Sequence, residues 1–330
     1  MRQAIGRRGV LGCGLALAAT GPARGQGGGG GYPTRPLRVI VPFAPGGASD
    51  VVARIIQPHL QELLGQAIVV ENRPGAAGNI GMEVAARAAP DGYTLFLGNA
   101  GTLAINPTVF ERSLRIDPLR DFGPVSLVAE TADVFVVHAA LPVRSVAEFV
   151  AFARANPGRL NYGSPGMSVN RLAMEKLREE HALDMVHIPY SGGAGPASLA
   201  VAAGEVHCLF VTLSAVMPQI QAGLVRALAV NGMRRVPVLP EVPTMGEAGF
   251  SGFETGSWQG ILAPAGTPPE IVHRLHEVVL RLVAREELRQ RFAASGTAAV
   301  ASRSPEEFAA FLRSEHEKWG SLVRRIGAVQ

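Results

Sequence analysis

Leu37 to Val41 is an apolar run of strand length. It breaks at once into Pro42-Phe43-Ala44-Pro45-Gly46-Gly47-Ala48-Ser49-Asp50, and an apolar-periodic stretch opens at Val51. A buried strand, a glycine loop and a helix in that order dictate a layered α/β unit. Gly46 and Gly47 allow a sharp bend and a close approach of backbone to a ligand. Ser49 and Asp50 are N-cap residue types. A helix N-terminus carries N–H groups with no intrahelical acceptor, which suits an anion. The same stretch also fits an ordinary strand-to-helix turn, so alone it leaves both readings open.

The rhythm repeats. Strands are expected at Ala67 to Val70, Thr94 to Leu97, Val134 to Val137, Leu160 to Tyr162, Val186 to Ile188, His207 to Val211, Arg226 to Val230 and Trp258 to Leu262. Helices are expected at Asn79 to Ala89, Ser145 to Ala155, Ser168 to Glu180, from Gly193 through Leu199, Pro269 to Val283 and Pro305 to Arg325. Ser145 with Glu148 reads as a capping box. Val236 to Thr255 is rich in Pro and Gly without a clear period, and reads as an irregular crossing segment. Alternating strands and helices predict mainly parallel sheets with helices on both faces. The 330 residues, 47% apolar, suffice for one large domain or two medium ones.

The first 25 residues read as an export signal: Arg2, Arg7 and Arg8, then a short apolar run from Val10 to Thr20, then the small-residue site Ala23-Arg24-Gly25. Arg7-Arg8 admits a twin-arginine route. The run is too short to span a bilayer. Cys13 precedes most of the run, which is the wrong order for a lipidation site. Residues 26–35 form a flexible leader. The formal charge of +4 is matched by Arg2, Arg7, Arg8 and Arg24, because no acid precedes Asp50. The processed chain is formally neutral, and its charge gives no argument for nucleic acid. One cysteine would survive cleavage, Cys208, in the apolar run Val206 to Val211, where inert core is expected.

A second loop, Gly163-Ser164-Pro165-Gly166-Met167-Ser168-Val169-Asn170, also follows a strand and opens a helix. Two such loops suggest a cleft with a helix N-terminus on each wall, beyond the strand C-termini. Arg171 is unfavourable near a helix N-terminus unless an anion meets it; the alternative is a solvent-facing arginine. Catalytic patterns are poor. Gly163-Ser164-Pro165-Gly166 is not a nucleophile elbow. His276-Glu277 lacks a second histidine at the zinc-protease spacing, with Leu280 in its place. His273 and His276 read as a solvated face rather than a metal site. Asp50 reads as a cap or loop anchor rather than a base, and Trp258 and Trp319 as packing. No cofactor motif appears.

The chain also resembles a known family. The residues that carry the likeness are Tyr32 to Pro36, Val41 to Gly47 with Asp50, Glu71 to Gly75, Asp91 to Leu95, Ile105-Asn106-Pro107, Leu160 to Ser164, Pro189-Tyr190 with Gly192-Gly193, Leu239 to Thr244 and Ala263 to Pro268. In that order they resemble the periplasmic solute-binding receptors of tripartite tricarboxylate transport, the Bug or TctC receptors. The resemblance implies a two-lobed, type II periplasmic binding fold, with 36–130 plus 256–330 in one lobe and 131–255 in the other. It implies hinges near Ala129 to Ala132 and Gly249 to Gly256.

It further implies a non-catalytic periplasmic receptor without a cofactor or metal. Such a receptor, a monomer by default, passes a small carboxylate (di- or tricarboxylate, amino acid or aromatic acid) to membrane permease subunits. Phe43, Ala44, Gly46, Gly47 and Ser49, with Asp50, would grip one carboxylate. Ser164, Gly166, Met167 and Ser168 would grip from the other lobe, with Tyr190 and Gly192 lining it. Thr102, Thr212 and Ser214 would complete the site. The family commonly has His-Leu shortly after the second loop, where this chain has Asn170-Arg171-Leu172; Arg171 is the candidate partner of a second carboxylate. The alternative function is a ligand-dependent partner of a sensor or regulator.

Overall fold

In the computed structural model, residues 31–164, 168–190, 194–232, 234–253, 256–294 and 296–327 are described. The expected export segment lies outside them. The first part of the chain gives β1 (Leu37–Val41), α1 (Ala48–Leu64), β2 (Ile68–Asn72), α2 (Asn79–Ala86) and β3 (Thr94–Asn99). A π-helical turn, Gly101–Ile105, leads into the short helices α3 (Asn106–Val109) and α4 (Pro118–Asp121). Next come β4 (Phe122–Thr131), β5 (Asp133–His138), α5 (Val146–Ala155), β6 (Leu160–Ser164), α6 (Val169–His181), β7 (Met185–Pro189), α7 (Ala194–Ala203), β8 (Cys208–Thr212), α8 (Leu213–Gln221) and β9 (Val225–Asn231). The chain ends with β10 (Ser257–Pro264), α9 (Pro269–Val283), α10 (Glu286–Ala293), β11 (Thr297–Ala299) and α11 (Pro305–Arg325).

These elements form a two-lobed α/β structure with two sheets, ordered β11-β4-β10-β3-β1-β2 and β7-β6-β8-β5-β9. The sheets are mixed, which refines the expectation of mainly parallel ones. β1 is parallel to β2 and β3, and β6 to β7 and β8. β10 runs antiparallel to β3 and β4, and β5 antiparallel to β8 and β9. The antiparallel strands are those that carry the chain between sheets: β4 becomes β5 across Ala132, and β10 follows the return from β9.

Strand alternation fills both faces of the second sheet. Phe135, Val137, Tyr162 and Phe210 pack with Phe149 and Leu177 on one face. Val134, Val136, Leu209 and Val211 pack with Ala197, Val201 and Val216 on the other. Each large side chain buried in this way contributes about 1.5–3 kcal/mol. Cys208 lies in the first of these layers, fully buried, with its thiol pushed up by burial, which is the inert core position expected of it. Val169 and Leu172 of α6 enter the core of the first lobe, beside Leu103, Ala104, Trp258 and Trp319.

Several expectations are corrected. Thr212 and Ser214, expected to complete the site, lie on regular elements: β8 ends at Thr212 and α8 begins at Leu213. The strand β4 was hidden by Gly123 and Pro124. Proline is tolerated there because β11 covers only Ala129 to Thr131 of that edge. The capping box at α5 is half-formed. Ser145 accepts from Glu148 N at 3.1 Å, but Glu148 Oε2 accepts from Arg144 N at 2.6 Å. His273 and His276 do not share a solvated face: His273 is exposed, whereas His276 is buried with Nε2 2.9 Å from Ser302 O.

Candidate functional site

The opening loop is built around Asp50. The N-cap of α1 is Gly47, not Ser49 or Asp50, which both lie inside the first turn and are buried. Asp50 instead braces the loop from within. Its Oδ2 accepts from Gly46 N at 2.8 Å and Arg54 Nε at 2.8 Å, and its Oδ1 accepts from Asn72 Nδ2 at 3.0 Å. Asn72 Nδ2 also donates to Phe43 O at 2.9 Å. The Arg54 bond leads in holding the Asp50 carboxyl below its ordinary range, with Gly46 N–H and Asn72 adding to it against the opposing effect of burial. Gly46 has φ +81°, a left-handed turn that favours glycine. Among the described residues no backbone acceptor meets the N–H groups of Ala48, Ser49 and Asp50, the donors a helix start leaves open.

Thr102 sits beside this loop. Gly78 has φ +96°, and a Cβ there would fall 2.7 Å from Thr102 Cγ2 and 3.3 Å from the Phe43 ring. The Thr102 hydroxyl is used within its own turn, accepting from Asn99 N at 3.1 Å while Thr102 N donates to Asn99 Oδ1 at 3.0 Å. The Thr102 methyl and the Phe43 ring thus both border Gly78.

In the second lobe, Ser164 closes β6. It is fully buried, with Oγ 2.7 Å from His187 Nε2. Ser168 caps α6, accepting from Arg171 N at 3.3 Å. Tyr190 N donates to Ser164 O at 2.9 Å, tying β7 to β6. The Tyr190 ring lies over Gly163, where a Cβ would meet it at 3.3 Å, and its hydroxyl is pushed up by burial and by Glu205. Thr212 ends β8 facing Asp133, and Ser214 is exposed on the first turn of α8. Gly166, Met167 and Gly192 lie outside the described residues.

Arg171 is neither solvent-facing nor without an anion. Its side chain is 27% exposed, and Nε lies 3.6 Å from Glu175 Oε1, too long for a hydrogen bond. Glu175 itself accepts from Tyr162 Oη at 2.5 Å and from Arg178 Nη1 at 2.7 Å. Burial lowers the His187 pKa, and Arg171 and Arg178 add to this, which favours a neutral imidazole.

Sequence reasoning assigned no role to Asn72, Arg54, His187 or Asp133. Asn72 stands in the motif Glu71 to Gly75, which was visible. The Ser164–His187 contact joins two strands 23 residues apart and leaves no local signal. That pair has the spacing of a nucleophile and base, but Ser164 is sealed from solvent, and among the described residues no carboxylate bonds the other imidazole nitrogen. Among the described residues no group of three His, Cys, Asp or Glu could hold a metal.

The two loops are linked through α6, whose first turn packs in the same apolar cluster as Leu103 and Ala104, next to Thr102. Cavities among the described residues include one of about 470 Å³ beside Arg38 and Thr94, one of about 510 Å³ beside Glu175 and Arg178, and one of about 120 Å³ beside Lys176 and Trp319.

Residues 52–328 match the family described as "Tripartite tricarboxylate transporter family receptor". Protein BugT of Bordetella pertussis is 36% identical over 301 residues, covering 90% of this chain and 91% of BugT. Among solved structures, an R. palustris protein with adipate is 34% identical with a TM-score of 0.78, covering 90% of this chain and 99% of that one. MatC from Rhodopseudomonas palustris, with bound malate, is 34% identical with a TM-score of 0.75, covering 88% of this chain and 100% of MatC. The chain belongs to the tripartite tricarboxylate transporter receptor family, a family of solute-binding receptors and not of enzymes.

Proposed function

We propose that this protein captures a small carboxylate in the periplasm, between lobes formed by 36–130 plus 256–330 and by 131–255, and presents it to a membrane permease. The observation that carries this is the Asp50-braced loop, which aims the N–H groups of Ala48, Ser49 and Asp50 out of α1 with no acceptor of their own among the described residues. One carboxylate group would sit on these donors, with Phe43, Ala44, Gly46 and Gly47 around it. The Ser168 hydroxyl and the start of α6 would meet it from the other lobe. Phe43 and Thr102 would bound the space available, and Tyr190, Thr212 and Ser214 would lie at its edge. Micromolar affinity needs about 8 kcal/mol. Four or five hydrogen bonds to a charged group, at roughly 1.5–3 kcal/mol each, supply that before ordering costs.

The ligand class we favour is a dicarboxylate, since two similar structures carry adipate and malate. Arg171 is our candidate for the second carboxylate, because its Nε is buried without a hydrogen bond. The test is calorimetry of refolded, ligand-free protein against C4 to C6 dicarboxylates, amino acids and aromatic acids. Micromolar binding of a dicarboxylate that weakens tenfold or more in Arg171→Ala supports the full reading. Equal affinities would remove Arg171, and silence across the panel would remove carboxylate capture.

A further inference from the structure

Asp133 lies where the two crossings between the lobes touch. It is fully buried and is the first residue of β5, directly after the chain leaves β4. The returning crossing reaches it through Ser257, whose hydroxyl donates to Asp133 Oδ2 at 3.1 Å. Only a glycine lets the crossings approach so closely: a Cβ on Gly256 would lie 2.8 Å from Thr131 O. Thr212 of β8 and Asn231 of β9 are the register partners of Asp133 on either side.

A third element meets this carboxylate. Asn170, in the first turn of α6, faces Asp133 and favours its charged form, as do Ser257 and Thr212. Yet Asp133 Oδ1 and Asn170 Nδ2 are both buried, and neither closes a hydrogen bond in this conformation. A buried acceptor and a buried donor without closed hydrogen bonds are costly, and joining Asn170 Nδ2 to Asp133 Oδ1 would satisfy both. The start of α6 is also the second lobe's contribution to the proposed ligand site, so this inference rests on that reading.

We infer that Asp133 is a positioning residue for ligand capture: when α6 moves onto a bound carboxylate, Asn170 Nδ2 closes onto Asp133 Oδ1, locking α6 to both crossings. The ionised carboxylate is the stronger acceptor for the Asn170 N–H, so closing the lock favours the charged form. A protonated Asp133 then gives up its proton to solvent more readily, and capture near pH 6 releases protons. Before capture, burial pushes the Asp133 carboxyl up to about 6. The groups facing it are the uncharged Ser257, Thr212 and Asn170. The ionisable groups on adjoining elements are Glu130 of β4, whose carboxyl is itself raised by burial with Arg234 opposing and Glu315 adding, and Arg171 of α6, which lies beside Glu175.

The test is titration calorimetry with adipate and malate at pH 5, 6 and 7.5, in pairs of buffers with different ionisation heats, on wild type and Asp133→Asn. The expected wild-type result is release of up to about half a proton at pH 6 beyond the Asp133→Asn baseline. Affinity should fall by up to about tenfold more than the variant's between pH 7.5 and 5. Binding with identical proton counts and pH profiles in both proteins overturns the inference and leaves carboxylate capture standing. Should Asp133→Asn fail to fold, the wild-type proton count at pH 6 decides, compared with the release calculated from the ligand's own ionisation. No binding by either dicarboxylate removes the dicarboxylate reading and this inference with it.

Discussion

Trp258 donates its indole N–H to Glu315 Oε2 at 2.8 Å, so a carboxylate on α11 holds the central strand β10 from beneath. Trp319 donates to the same oxygen at 2.9 Å, and Glu315 is only 5% exposed. One buried acid thus satisfies two buried donors that have no solvent to turn to. Glu315→Ala should cost about 2–4 kcal/mol, because each stranded N–H carries its own desolvation penalty. Glu315→Gln, which keeps an acceptor oxygen, should cost clearly less. Urea unfolding of both variants checks this; equal losses would mean that packing, not hydrogen bonding, sets the effect.

Asn72 should matter for binding although it need not touch ligand. Its amide holds Phe43 O and Asp50 Oδ1 together, and so fixes the loop that presents the first-turn N–H groups. Asn72→Ala should weaken carboxylate binding about tenfold, or roughly 1.4 kcal/mol. The melting temperature should fall by about 2–4 °C. The pH behaviour separates this brace from Asp133. The Asp50 carboxyl is held below its ordinary value of 3.8, so its stabilising contribution is complete above that value and is lost only as pH falls through the lower folded value. Asp50→Asn should therefore leave the shape of the affinity profile between pH 5 and 8 as in wild type; a changed shape there would refute the assignment.

The close crossing gives a third expectation. Gly256→Ala places a methyl 2.8 Å from Thr131 O, a backbone atom that cannot swing aside. The two crossings must separate, at about 1–3 kcal/mol. Small-angle scattering with and without dicarboxylate should show an altered ligand-dependent compaction relative to wild type. Unchanged stability together with an unchanged scattering difference would show that the crossings are not the pivot.

What could be read from the sequence was what local chemistry encodes. The helices Pro269–Val283 and Pro305–Arg325 appear at the expected residues, because each begins with proline in its first turn and the second has Ser304 as its cap. The opening strand–glycine–helix loop stands where the apolar run and its glycines put it. Contacts that span the chain could not be read. Ser164 meets His187 across two strands, and Asp133 meets Ser257 from 124 residues away. Neither pair differs locally from an ordinary strand residue. Glu175, by contrast, was in view one turn beyond Arg171, at the spacing where helix side chains pair.

Asp133 also predicts an unusual pH dependence of stability. Its carboxyl is raised from the ordinary 3.8 to about 6 in the folded protein, chiefly by burial. A raised folded value means that the native state holds this proton more tightly than the unfolded chain does. The stabilising contribution of the neutral form is therefore full below about 3.8 and is lost as pH rises through about 6. A shift of this size corresponds to roughly 3 kcal/mol at most, about 1.4 kcal/mol per unit. Other carboxylates, Asp50 among them, slope the opposite way, so the wild-type curve alone cannot isolate the effect. The difference between wild type and Asp133→Asn can. Denaturant unfolding of both at pH 4, 5, 6 and 7.5 should show wild type losing about 2–3 kcal/mol relative to the variant across that range. A flat difference would mean that Asp133 carries the same proton occupancy folded and unfolded. In that case its buried charge would have to be stabilised already, with no need of Asn170.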